Sequence, residues 1–417
     1  MSKSRVLLVI TYLFVFAGIC RSEQGSIWEQ ETLTNGFWGL NDQLADSGIE
    51  LGFEMTSIYQ INARGGISTN DRRGRHHGRY EATMDMDLER LLGIEDGSFY
   101  IIGWGGWPDT EGIDEHSVGS AWGINALPYG NQGMDIIECA YMGPLFSDNL
   151  TIVIGKLDFT CIFDATAYAD NECGEYGQFL NAALVDDPTI PFPQQGLGMV
   201  LAWDITDLWY LMGGVADAQA DSRETGFRTT FHKQDYFFYA LETGVTAELD
   251  SANGPMEGTY RIGLWNDAQP KANSDLAAAG KSYRDDIGIY TSCDQMLDKE
   301  NDDPEDNQGL GMFFRYGYAP ARKNDINNFF SVGFQYQGLL EGRDDDVLGA
   351  ASACGFFSDT ADMSYPEDYE SALEVYYNAQ VTPWFNLSPS FQYIANPGGV
   401  KTAKDAVVFG IRAHIIF

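Results

Sequence analysis

The residues whose types and spacing suggest chemistry gather near the middle of the chain. Lys156 and Asp158 lie two apart, so on a strand they share a face. An opposite-charge pair at a narrow point can orient the hydroxyls of a passing solute through charge-assisted hydrogen bonds. The same pair serves equally well as a salt bridge that stiffens a wall. The stretch Phe159 to Gln195 follows directly, with Cys161 and Cys173 flanking Asp164, Asp170 and Glu172, and a helix-like run from Gln178 to Leu184. It is expected to fold inward and narrow a passage; an outward surface loop is the alternative. Further along, Glu374, Tyr376 and Asn378 alternate on one face, as do Arg412 and His414. Trp104, Trp107 and Trp203 offer flat faces that could meet the apolar surface of a solute, although a Trp in such a sequence more often sits at a membrane interface.

Reaction chemistry has less support. An enzyme needs a nucleophile with a base, or a metal cluster. The chain has 5 histidines, two of them adjacent in Asp71-Arg72-Arg73-Gly74-Arg75-His76-His77-Gly78-Arg79, and no Ser-His-acid order with a supporting motif. Adjacent strand residues point opposite ways, so His76 and His77 make a poor metal pair; a solvated hairpin is expected there. The acidic run Asp298 to Asp306 lacks the glycine pattern of a calcium loop. No catalytic residue, metal or cofactor is implied.

The elements that must carry these residues are strands. From Ile49, the side chains of Leu51, Phe53, Met55, Tyr59 and Ile61 share one face, and Glu50, Glu54, Thr56, Gln60 and Asn62 share the other. Val332, Phe334 and Tyr336 alternate with Ser331, Gly333, Gln335 and Gln337. Ile262 and Leu264 alternate with Thr259, Arg261 and Gly263. Pro389, Phe391 and Tyr393 alternate with Ser388, Ser390 and Gln392. Period two with one apolar and one polar face means strands, in a soluble sandwich or in a membrane barrel. Aromatic richness, with 22 Tyr, 25 Phe and 9 Trp beside 46 Gly, favours the barrel. About fifteen strand-like runs point to sixteen, since bacterial single-chain barrels carry an even number. The long connections are expected at Phe159 to Gln195, Ala268 to Asp285, Cys293 to Asn307 and Glu341 to Glu367. Phe37 to Leu44 is expected to form a short amphipathic turn or helix.

Both ends fit a barrel of the outer membrane. Lys3 and Arg5 precede an apolar run, Val6 to Ala17, that exits to Glu23: the form of a secretory signal peptide, with cleavage expected near Ser22. This divides the chain into a signal (1–22), an N-terminal periplasmic segment (23–48) and a barrel (49–417). Val407, Phe409, Ile411, Ala413, Ile415 and Phe417 form one apolar face at the other end. A last strand ending in Phe resembles the signal read by outer-membrane assembly machinery. The formal charge of −36 excludes nucleic acid, whose phosphates need Lys and Arg. Without Lys3, Arg5 and Arg21, 22 basic groups face 61 acidic ones, or −39, which repels anions from any narrow passage. Five cysteines then remain; two bridges drawn from Cys161, Cys173, Cys293 and Cys354, with Cys139 a buried thiol, suit an oxidising compartment.

These residues resemble the carbohydrate-selective porins of the OprB family over nearly all of the mature chain. The resemblance is densest at Gly155-Lys156-Leu157-Asp158, Phe163-Asp164, Tyr168-Ala169-Asp170-Asn171-Glu172, Gln178-Phe179-Leu180-Asn181 and Pro191-Phe192-Pro193. It returns at Glu374-Val375-Tyr376-Tyr377, Pro389-Ser390-Phe391-Gln392-Tyr393-Ile394 and Gly410-Ile411-Arg412. It implies an all-β, sixteen-stranded transmembrane antiparallel barrel in the outer membrane that passes small neutral carbohydrates, with a constriction loop folded into its lumen. Lys156, Asp158, Asp164, Glu172, Glu374, Tyr376, Arg412 and Trp203 are the candidate pore residues. A general cation-preferring porin is the nearest alternative, and a barrel enzyme or adhesin a more distant one.

Overall fold

A computed structural model of the chain describes residues 26–107, 112–127, 129–169, 178–231, 234–271, 282–303, 307–359 and 365–417. The expected signal peptide, Asp170, Glu172 and Cys173 lie outside these residues. Sixteen antiparallel strands close into one barrel, each bonded to the next and the last to the first. They are β1 (Ile49–Gly66), β2 (Gly74–Asp87), β3 (Ser98–Trp107), β4 (Asp135–Pro144), β5 (Leu150–Leu157), β6 (Gly196–Thr206), β7 (Trp209–Asp217) and β8 (Phe237–Ser251). The second half holds β9 (Gly254–Asp267), β10 (Asp286–Lys299), β11 (Gly309–Tyr318), β12 (Ile326–Gln337), β13 (Val347–Phe357), β14 (Tyr369–Thr382), β15 (Phe385–Ala395) and β16 (Lys404–Ile416). Closure leaves no strand edge unpaired, which is what allows strands to cross lipid.

The two faces sort as the alternation predicts. Tyr59, Ile262, Leu264, Phe334, Phe409 and Ile411 are exposed outward, while Thr56, Gln60, Ser331, Gln392, Arg412 and His414 are buried inside. An inward polar group is tolerated because the interior supplies partners; an outward one would face hydrocarbon. Glycines let bulky rings lie flat on the wall. A Cβ at Gly263 would overlap the ring of Tyr290, at Gly349 that of Tyr376, and at Gly333 that of Phe313. Each ring thereby covers backbone on the neighbouring strand, the cross-strand pairing that stabilises sheets.

One rim carries the short connections 145–149, 207–208, 252–253 and 383–384 together with the segment before β1, and is therefore periplasmic. Near it, α1 (Asn35–Ala45) begins with a left-handed turn, Asn35 to Gly39 all having positive φ. The other rim bears the long connections, of which 108–134 and 158–195 enter the barrel. Two expected loops are corrected: β10 occupies the first part of Cys293 to Asn307, up to Lys299, and β13 the centre of Glu341 to Glu367. β10 alternates the outward Ile287 and Ile289 with Gly288, Ser292 and Asp294 on the other face, and β13 is built largely of small residues, so neither reads as a long apolar run. The basic run is also mostly strand, since Gly74 to Arg79 opens β2. His76 points outward to Ser57 and His77 inward towards Asn125.

Candidate diffusion path through the barrel

Connection 158–195 is seated across the lumen by wall side chains that end in its backbone. Glu374, inward on β14, accepts the N–H groups of Leu180 (2.9 Å) and Asn181 (2.8 Å). Asn181 also donates to Gln392 on β15 at 3.1 Å and caps the one-turn α2, here Ala182–Val185. Arg412 on β16 donates to the carbonyl of Gln178 at 2.9 Å. Phe179 meets Tyr376 edge-on, with ring centroids 5.0 Å apart. Only Ala182 to Leu184 of the expected Gln178–Leu184 helix is helical, because residues 178–181 spend their backbone groups on the wall.

A second anchor lies across the barrel. Arg315 on β11 donates to the carbonyls of Leu184 (2.7 Å) and Asp164 (3.0 Å) and forms an ion pair with the Asp164 carboxylate at 3.2 Å. The Asp164 N–H donates to Glu242 on β8 at 2.9 Å, and Glu242 accepts from Tyr210 and Tyr290. The Ala167 N–H donates to Asp294, itself paired with Arg261 at 2.6 Å. Burial pushes the Asp164 carboxyl up to about 7 against the opposing pull of Arg315, and raises Asp187 of the same connection to about 6. Connection 108–134 completes the plug: Ala126 donates to the Leu180 carbonyl at 2.8 Å, and Gln60 and Gln392 both donate to the Ile124 carbonyl.

Asp164, Glu374, Tyr376 and Arg412 thus converge on this loop. Asp158 closes its base, accepting from Thr160 and from Gln195 at the far end. Lys156 and Trp203 do not join them. Lys156 pairs in register with Cys139 and Leu197 on the outward face, and its ammonium is held by the carbonyls of Ile136, Ser222 and Glu224. The expected inward Lys156–Asp158 couple is therefore corrected: β5 ends at Leu157, and beyond it parity no longer aligns the two side chains. Trp203 is outward and 45% exposed, near the periplasmic turn, a girdle position. Of the other tryptophans, Trp107 is outward and stacks with Tyr80. Trp104 is inward, but one ring face is covered by the Arg79 guanidinium at 3.9 Å. Cys161 is disulfide-bonded and Cys139 is a free thiol; the expected bridging of Cys293 and Cys354 is corrected, since both are free thiols. Cys293 and Cys354 stand on β10 and β13, three strands apart, about 14 Å at normal strand spacing and too far to bridge. No local motif singles out Arg315, Glu242, Arg261 or Asp294 as an anchor. Strand parity marks each as inward once its strand is recognised.

Beneath the loop, on the periplasmic side, lies a cavity of about 470 Å³. Tyr168 and Gln178 of the loop line it with Gln335, Gln337, Tyr376 and Asn378 of the wall. The ring of Tyr168 lies over Gly311 and that of Tyr376 over Gly349. Gln335 donates to the Tyr376 hydroxyl at 2.7 Å, and Gln178 to the Ala167 carbonyl at 2.9 Å, so rings and amides are held in place.

A barrel of sixteen strands with a loop pinned across its lumen is the architecture of a porin, and comparison with known proteins names which kind. Residues 71–417 match the carbohydrate-selective porin, OprB family. The chain belongs to this family. It is 21% identical to Porin B of Pseudomonas aeruginosa over 92% of this chain and 90% of that protein. It is 22% identical to the putative porin QuiX of Acinetobacter baylyi over 93% and 96%. The high-pH structure of Pseudomonas putida OprB superposes with a TM-score of 0.77 at 19% identity, covering 94% of this chain and 100% of that one. Family and fold together make the protein an outer-membrane porin for carbohydrate-selective diffusion, a channel rather than an enzyme.

Proposed function

We propose that small neutral sugars pass through the cavity beneath connection 158–195, guided by Tyr168 and Tyr376 and exchanging water for the amides of Gln178, Gln335, Gln337 and Asn378. The observation that carries this reading is the cavity itself. Its volume lies in the range of small-molecule sites (roughly 300–1,000 Å³), and its lining joins flat aromatic faces to uncharged donors and acceptors. Sugar rings present apolar C–H faces and many hydroxyls, which this mixture matches without the strong binding that would arrest transit. Asp164, Glu374 and Arg412 act by holding the loop rather than by touching solute.

The solute that shares the path is cationic rather than anionic. Glu50 and Asp85, Glu54 and Glu81, and Glu248 and Glu257 stand directly opposite each other across strands in the periplasmic half. The first two pairs share the inward face of Thr56 and the third that of Glu242. Like charges so placed cost stability, and they raise the local concentration of cations. Outer-membrane lipid surrounds the exposed apolar band, and the outward face of β16, with Phe409 and Ile411, is the surface offered to the assembly machinery.

Liposome swelling tests the reading. Vesicles carrying the porin are expected to swell faster in a mono- or disaccharide than in a size-matched anion, and Tyr168→Ala with Gln335→Leu to slow sugar entry several-fold without lowering ion conductance. Equal swelling rates for all neutral solutes of one size, in wild type and variant alike, would remove the sugar path.

A further inference from the structure

Three neighbouring strands place outward residues at the outer rim that lie under protein rather than lipid: Lys156 on β5, Leu197 on β6 and Asp217 on β7. All three are covered by the connection 218–236, which joins β7 to β8. The Lys156 ammonium donates to the carbonyls of Ser222 (2.6 Å) and Glu224 (2.8 Å). Gly226 lies against the Leu197 side chain, and the Thr230 hydroxyl donates to Asp217 at 2.8 Å. The connection therefore leaves the rim and folds back over the outside of the barrel. Its Thr230 N–H donates to the Gly226 carbonyl at 3.0 Å, making one turn whose buried side is Gly226 and Thr230. The other side presents Phe227 and Phe231, 69% and 73% exposed, their rings stacked with centroids 6.5 Å apart. Beside them Arg223 and Arg228 have side chains 58% and 79% exposed, each only loosely paired, with Asp221 at 3.5 Å and Glu224 at 3.6 Å.

We propose that this collar binds an anionic lipid at the outer edge of the membrane, Phe227 and Phe231 entering the acyl region while Arg223 and Arg228 meet the headgroup phosphate. The collar sits on the lipid-facing side of the wall, flanked by the outward residues Ile136, Ile154 and Tyr239, which are themselves exposed. Aromatic side chains with adjacent arginines are the pairing that suits a hydrocarbon–headgroup boundary. The two exposed guanidiniums can exchange their loose partners Asp221 and Glu224 for a headgroup phosphate, which they bind in the stronger charge-assisted geometry. A second copy fits less well, because a two-fold interface through this patch sets arginine against arginine.

The full-length porin in nanodiscs of phosphatidylcholine with a minor fraction of phosphatidylglycerol provides the test, with co-retained lipid counted by native mass spectrometry after release. Wild type is expected to retain phosphatidylglycerol at least fivefold above its share of the bilayer. Arg223→Gln with Arg228→Gln should bring it back to that share, and Phe227→Ser with Phe231→Ser should lower retention of both lipids. Single-channel conductance, which the collar does not touch, verifies that each variant is folded. Enrichment that survives both double variants, absence of enrichment in wild type, or Phe227→Cys chains that cross-link to one another in the membrane would each overturn the proposal.

Discussion

Replacing Glu374 by Ala should open the pore. The Glu374 carboxylate accepts two buried N–H groups, of Leu180 at 2.9 Å and Asn181 at 2.8 Å, where connection 158–195 crosses the lumen. A hydrogen bond to a charged acceptor contributes about 1.5–3 kcal/mol, and a buried donor left unmade costs about as much. Losing both therefore weakens the seating of the loop by about 3–6 kcal/mol. Glu374→Gln keeps one carbonyl oxygen and turns an NH2 towards the other donor, so it should fall between. The sixteen-strand ladder is not involved, and heat-modifiable migration on gels should remain wild type. Planar-bilayer recordings are expected to show higher single-channel conductance with more open-channel noise in E374A, a smaller change in E374Q, and a weaker preference for sugar over equally sized neutral solutes in both. A well-folded E374A channel with wild-type conductance, noise and selectivity would refute the idea that this carboxylate holds the constriction.

Two further outcomes follow, one from the seated loop and one from the wall. Asp164 and Asp187, raised by burial to about 7 and about 6 from an ordinary value near 4, bind protons more tightly when the loop is seated than when it is solvated. Seating is therefore most stable below about pH 4 and weakens as pH rises through 6 and 7. Hydrogen-exchange protection factors of residues 158–169 should fall between pH 5 and 8, and Asp164→Asn should flatten that slope; protection that grows with pH would contradict the assignment. Gly263→Val forces the Tyr290 ring off the wall and away from Glu242, an overpacking cost of about 1–3 kcal/mol before the lost hydrogen bond is counted. Refolding yield in detergent is expected to drop for this variant and to stay unchanged for Gly133→Ala, whose added methyl meets open space.

How much of this was legible beforehand differs from residue to residue. The alternation from Leu51 to Asn62 predicts both faces of β1, and Arg412 with His414 follows by parity on β16, because the two-residue period of a strand is a local property. Lys156 shows the limit of such reasoning. Parity with Ile152 and Ile154 places it outward, whereas reading it as a couple with Asp158 sets it towards the lumen. It faces outward because Ser222 and Glu224, 66 and 68 residues further along the chain, fold over it and supply carbonyl oxygens. β10 and β13 are less legible for a related reason: a strand that ends in polar residues, or is built largely of small ones, is recognised by the partners that flank it.

Local pattern is enough to predict a barrel of strands, the inward residues of most strands, and one long connection after β5. Each of these depends on neighbours within a few positions. Only the tertiary structure decided that the connection is pinned between Glu374 and Arg315, that Tyr168 and Tyr376 end up across one cavity, and that Lys156 is roofed rather than exposed. Those pairings join residues more than 100 positions apart for the loop and its wall, and barrel closure, not local pattern, brings them within hydrogen-bonding reach.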